Sequence, residues 1–249
     1  MIKEPFAIGN SWIHKIDPRV KVIFATIYAY VIALSNRFPV LLTALLISIL
    51  LVWFAHLDLR EVIGRLAVVF LFLLLIWVIL PFTFEGETLY QFRQIKITLP
   101  GVAFSARITL KTMAILLSFM ALISTMTIAT LGNTLNSLGL SNKLVLLFLM
   151  TYRYIFVIEE EYRRLRTAVK LRGFRPGTNI HSYKTFAYII GMLFVRASIR
   201  AERVHQAMRC RGFRGKFYTL NDFSSAGQDR LFSVLFTSIT IGLIMLEYY

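Results

Sequence analysis

The chain is short of charge. Of its 249 residues only 16% are Asp, Glu, Lys or Arg, against 57% hydrophobic, and mean hydropathy is +0.66. A soluble domain carries about 25% charged residues, so there is too little polar surface here to coat a water-soluble globule, and an integral membrane protein follows. Acid is scarcer than base, at 13 against 28. Cysteine is down to Cys210, which excludes an internal disulfide. A phosphate-binding loop of the G-x-x-x-x-G-K-[ST] type is missing, so any ATP must be hydrolysed on another chain. His14, His56, His181 and His205 are scattered, and His205 and Cys210, five residues apart, would splay on a helix. No metal site and no bound cofactor are expected, and no Ser/His/Asp or Cys/His arrangement can be argued from spacing.

What is there is apolar runs, at residues 20–35, 40–55, 66–84, about 106–131 and 231–246. Their lengths approach what a helix needs to cross a hydrocarbon core. The first two are short, which fits either tilted spans or a tight re-entrant pair. No small-residue cleavage site separates the first run from the second, so it reads as a retained span rather than a leader. Residues 56–65 are a polar connection and 85–105 a loop containing Pro100-Gly101. Asp17-Pro18 reads as an N-cap followed by proline at the first helical position. The expected fold is all-α: about five transmembrane helices and a cytosolic arm of two to three helices. Residues 1–131 form a membrane domain with four spans, 132–230 the cytosolic arm and 231–249 the last span.

Charge sets the orientation. Lys3, Lys15, Arg19 and Lys21 flank the first run and place the N-terminus in the cytosol. Residues 132–230 hold 17 Lys+Arg against 6 acids, which carries +11 of the net +15 into one segment on the same side. Such a block faces a phosphate surface or an acidic protein partner. Residues 143–158 are nearly apolar enough to span. Arg153 within them and Glu159-Glu160-Glu161 after them favour the apolar half of a long cytosolic or interfacial helix, whose apolar face needs a protein partner. Glu159 and Glu160 pair with Arg163 and Arg164 one turn on. Nucleic acid is not an expected partner, because the arginines interleave with apolar helix and no nucleic-acid module is recognisable.

One motif occurs twice. Residues 168–175 read Ala-Val-Lys-Leu-Arg-Gly-Phe-Arg and residues 207–214 read Ala-Met-Arg-Cys-Arg-Gly-Phe-Arg, each after a helical run of about 25 residues. Gly173 and Gly212 suit the left-handed C′ position that ends a helix. Phe174 and Phe213 fall at C″, where a contact back onto the last turn is common. Arg172 and Arg211 lie where the helix dipole favours a cation. These are either capped helix ends under anionic headgroups or two equivalent tips for two equivalent sockets, as a dimeric partner would supply.

The duplicated tips, the run 146–172 with Arg153-Tyr154 and its three glutamates, and the stretch from Gly9 to Lys21 resemble the transmembrane (T) component of energy-coupling-factor transporters, ABC-type importers of vitamins and transition-metal ions, in their cobalt branch. The resemblance implies an energy-coupling subunit in the cell membrane with no catalysis of its own. Its implied partners are two cytosolic ABC ATPase subunits, a membrane-embedded substrate-binding subunit and the lipid bilayer. It makes Arg172 and Arg211 the coupling arginines and Gly173 and Gly212 the helix ends, with Ala168, Ala207, Phe174 and Phe213 completing the site. It implies too that residues 143–158 and 186–195 pack on each other and on the substrate-binding subunit. Cobalt, nickel and vitamin cargoes all fit that role. A membrane-bound enzyme acting on lipid phosphates is the reading from a different class, and the missing catalytic constellation counts against it.

Overall fold

Asp17 accepts the backbone N–H of Arg19 at 2.8 Å and Pro18 occupies the first helical position, so helix α1, Pro18–Leu34, opens on the expected cap. The computed structural model describes residues 6, 9, 11–83, 88–92, 95–215 and 227–248. After α1 come α2 (Phe38–Phe54), α3 (Leu59–Thr83), a two-stranded antiparallel hairpin of β1 (Thr88–Phe92) and β2 (Ile95–Thr98), α4 (Leu99–Leu122), α5 (Ile128–Ser137), α6 (Asn142–Leu171), α7 (Ile180–Cys210) and α8 (Gly227–Tyr248). The protein is helical, and the hairpin is its one sheet among the described residues.

Two expectations are corrected. The loop expected at 85–105 contains the hairpin, whose strands alternate in the way a short ribbon requires, Thr-Leu-Tyr-Gln-Phe against Ile-Lys-Ile-Thr. The span expected at 106–131 is α4, which starts at Leu99 and stops at Leu122. At the stop the Ser124 N–H reaches back to the Phe119 carbonyl at 3.2 Å instead of continuing the ladder, and Thr127 Oγ1 then accepts the N–H of Thr130 at 3.2 Å and caps α5. Gly101 lets the start of α4 pass close to the end of α3: a Cβ there would lie 2.9 Å from Pro81 Cα and 3.0 Å from the Leu80 carbonyl oxygen.

The chain divides into two compact units, residues 2–131 with 222–249, and residues 132–221. The first holds α1 to α4 and α8 around a core that includes Ala25, Tyr28, Leu41, Ala44, Ala114 and Phe236. Small residues at the contacts let the helices approach, as membrane packing demands. Tyr28 donates to the Ala44 carbonyl at 2.7 Å and Ser48 to the Ala114 carbonyl at 2.9 Å, so the hydroxyls buried among α1, α2 and α4 are paired. Asp229 accepts the Asp17 N–H at 2.8 Å. Glu247 accepts from Ser35 Oγ at 2.6 Å and the Asn36 N–H at 3.0 Å, so α8 is pinned beside α1 at both ends. By length and composition α3, α4 and α8 can cross a membrane. The α1 and α2 helices have 17 residues each, about 25 Å, short of the roughly 30 Å hydrocarbon thickness. Phe70, Leu71, Phe72, Leu74 and Leu75 of α3 are all at least half exposed, the apolar surface a lipid-facing helix presents.

Candidate functional site

The second unit is built on α6 and α7, of 30 and 31 residues. Both end in the same hydrogen-bonded stop. At the first, the Gly173 N–H donates to the Lys170 carbonyl at 3.1 Å and the Phe174 N–H to the Val169 carbonyl at 3.3 Å. At the second, Gly212 donates to Arg209 at 3.0 Å and Phe213 to Met208 at 3.0 Å. This pair of bonds satisfies carbonyls a helix end otherwise leaves open, and it needs a left-handed residue at C′. Gly173 has φ +82° and Gly212 φ +75°, and around each a Cβ would meet nothing within 4 Å, so backbone conformation rather than space calls for glycine.

Arg172 and Arg211 are the C-caps themselves, at φ −81°, ψ 13° and φ −87°, ψ 12°. Their backbone N–H groups donate to the carbonyls of Ala168 and Ala207 at 3.3 and 3.2 Å. Both arginines and both alanines are exposed. Among the described residues neither guanidinium is in a salt bridge, so each stands available for a carboxylate or aligned carbonyls on another surface. The helix dipole adds to their placement at the carbonyl end.

The tips differ beside the arginine. The Phe174 ring turns onto α7, 5.8 Å edge-to-face from Phe186 and 6.0 Å from His181, whereas a contact onto its own last turn was expected. Leu171 is 83% exposed, while Cys210 takes the same place at the second tip. Phe213 is half-buried and lines a groove between α6 and α7.

An ion pair between Arg196 and Glu161 joins the two helices. The sequence held a signal for it: Glu159 and Glu160 pair one turn on, with Arg163 at 2.6 Å and with Arg164, but the residue one turn after Glu161 is Leu165, which leaves that acid over. The connection 172–179 is short, and the Gly177 N–H donates to Ser182 Oγ at 3.0 Å, so α7 turns back along α6. Residues 143–158 therefore share a groove with residues 197–213. The expectation that they pack on residues 186–195 is corrected by this antiparallel register. Since Phe174 lies beside His181 and Phe186 in the first turns of α7 and Arg211 follows its end, the two tips stand roughly 40 Å apart, most of the roughly 46 Å length of α7.

Among the described residues no three His, Cys, Asp or Glu side chains come together as a metal cluster. His14 is held structurally, Nδ1 with Ser11 Oγ at 2.6 Å and Nε2 with the Phe6 carbonyl at 2.9 Å.

Comparison with known proteins bears on the whole chain. A protein from Ruminiclostridium cellulolyticum named energy-coupling factor transporter transmembrane protein EcfT is 24% identical, over 96% of this chain and 94% of its own length. Proteins of the same name from Brevibacillus brevis and Leuconostoc gelidum are 28% and 27% identical, over 92% and 84% of this chain and 87% and 82% of theirs. The profile of the family described as cobalt transport protein (CbiQ) matches residues 9–219, which takes in all the helices but α8 and both arginine tips, and the chain belongs to that family.

Proposed function

We propose that the chain is the energy-coupling transmembrane subunit of an ECF-type ABC importer, without catalysis of its own, serving cobalt uptake. Its partners are two cytosolic ATPase subunits and a membrane-embedded substrate-binding subunit. The N-terminus and the α6–α7 arm lie on the cytosolic side. The observation that carries the reading is the pair of identically built helix ends, each showing one unpaired arginine, set one helix length apart. Two ATPase protomers related by a two-fold axis would offer two copies of one acidic socket. Closing of the pair on ATP would move two rigid levers joined by the Arg196–Glu161 contact. The family description supports cobalt as cargo, and the names of the relatives support the subunit's place in the complex.

The test is uptake of labelled cobalt into cells or vesicles carrying the complete complex. Replacement of Arg172 and Arg211 together by alanine is expected to abolish ATP-dependent uptake, while the chain stays in the membrane and the ATPase subunits still hydrolyse ATP. Undiminished uptake by that double variant overturns the coupling role. Failure of the intact complex to accumulate cobalt while accumulating another cargo overturns the cobalt assignment alone.

A further inference from the structure

The groove between α6 and α7 begins at one point on the helix pair. Every α6 residue that lines it precedes Glu161, and every α7 residue that lines it follows Arg196. The Arg196–Glu161 pair therefore closes the inner end, and beyond it the helices part around a volume of 1440 Å³. Among the described residues it is the one salt bridge between α6 and α7.

Little else fixes the heading of α7. Toward the connection, Phe186 meets Phe174, Ser182 Oγ accepts the Gly177 N–H at 3.0 Å, and Ile189 is buried. From residue 190 to residue 215 no side chain is buried. Val204, Met208 and Phe213 are half-buried along the groove. Phe186 and Arg196 lie about 15 Å apart along α7, and Arg211 lies about 37 Å from Phe186. For a straight helix held at those two places, a shift of about 1 Å at the pair becomes about 2.5 Å at the second tip. The Glu161 side chain is mostly covered and that of Arg196 half exposed, so the pair contributes little to stability. Its leverage is on geometry.

We propose that Glu161 and Arg196 are positioning residues for coupling: their pair sets the distance between Arg172 and Arg211 and so matches the two arginines to two sockets. Sockets related by a two-fold axis have one spacing. A guanidinium bound through two parallel hydrogen bonds has a strict geometry, so a tip set ångströms away loses its fit. This role rests on the coupling function of the tips and adds what holds them at the right separation.

The test reads that separation directly. Cys210 is the chain's single cysteine and is exposed at the second tip, and exposed Leu171 can carry another at the first. Spin labels on Cys210 and L171C, in the full chain in nanodiscs, are expected to give a narrow distance distribution by pulsed electron paramagnetic resonance. Glu161→Gln is expected to widen it by about 3 Å or more. In the complete complex, with Leu171 and Cys210 unaltered and unlabelled, the same variant is expected to lower ATP-dependent uptake about tenfold while ATP hydrolysis continues. Glu159→Gln breaks a pair inside α6 and is expected to change neither readout. Exchange of the charges, Glu161→Arg with Arg196→Glu, is expected to restore both. An unchanged distance in Glu161→Gln overturns the positioning role. So does a widened distance with undiminished uptake, an equal effect of Glu159→Gln, or an exchange that leaves either readout impaired. Undiminished uptake when Arg172 and Arg211 are both alanine would instead remove the coupling function itself, and the distance readout, taken without ATPase subunits, does not depend on it.

Discussion

The two helix tips share one backbone and differ in what surrounds it. Both carry glycine at positive φ, the same two closing hydrogen bonds and an exposed arginine at the C-cap. The first is braced by Phe174 against the start of α7 and shows a bare leucine beside its arginine. The second shows a small cysteine and places Phe213 in the groove. Local sequence thus builds two like connectors, while tertiary packing sets the first against the start of α7 and the second along the groove between α6 and α7.

The largest expected effect falls on what the tips share. Alanine at both Arg172 and Arg211 should abolish coupled uptake, and each single replacement should impair it to a similar degree. Single variants of widely unequal severity in a transport assay would show that the sockets are not equivalent.

Next comes the brace. Phe174→Ala should cost about 1.5 kcal/mol through its two ring contacts and should speed amide hydrogen exchange over the first turns of α7. Phe213→Ala should leave exchange there unchanged. If both variants loosen residues 180–186 alike, the two phenylalanines do not have the different settings described.

Smaller, and equal at the two tips, is the glycine effect. Gly173→Ala and Gly212→Ala should each destabilise the local stop by about 1 kcal/mol, since an open surround leaves only the left-handed penalty. Exchange of the last helical amides measures both. A much larger loss at one tip would mean that its glycine also clears space for something.

The smallest is the strut. Glu161→Gln should cost about 0.5 kcal/mol in thermal unfolding, because Arg196 is half exposed and solvent screens the pair. Exchanging the two residues, Glu161→Arg with Arg196→Glu, should recover most of it. No recovery would mean that the register is held elsewhere.

Much of this was legible beforehand, for reasons of short range. A glycine that ends a helix, a proline at N1 and acids one turn before arginines act within five residues, and each was found where the spacing put it. The end of α4 was missed because hydropathy does not register where the backbone ladder breaks or that Thr127 caps a new helix inside an apolar run. The hairpin was missed because two short alternating runs beside a long apolar one read as loop. The pairing of residues 143–158 was misplaced because the register of two helices depends on a contact 35 residues apart in the chain.

By itself, then, the sequence determined that the protein lives in a membrane and that two like tips exist, because hydropathy and helix stops are properties of contiguous residues. Only the tertiary structure decided that the tips stand nearly a helix length apart, that Phe174 packs on the start of α7 while Phe213 lines the groove, and that Lys143 lines that groove with Arg209 and Arg214. Those depend on which face of α6 meets which face of α7, a choice made by Glu161, Arg196 and Phe174 across the turn, and no window along the chain contains all three partners at once.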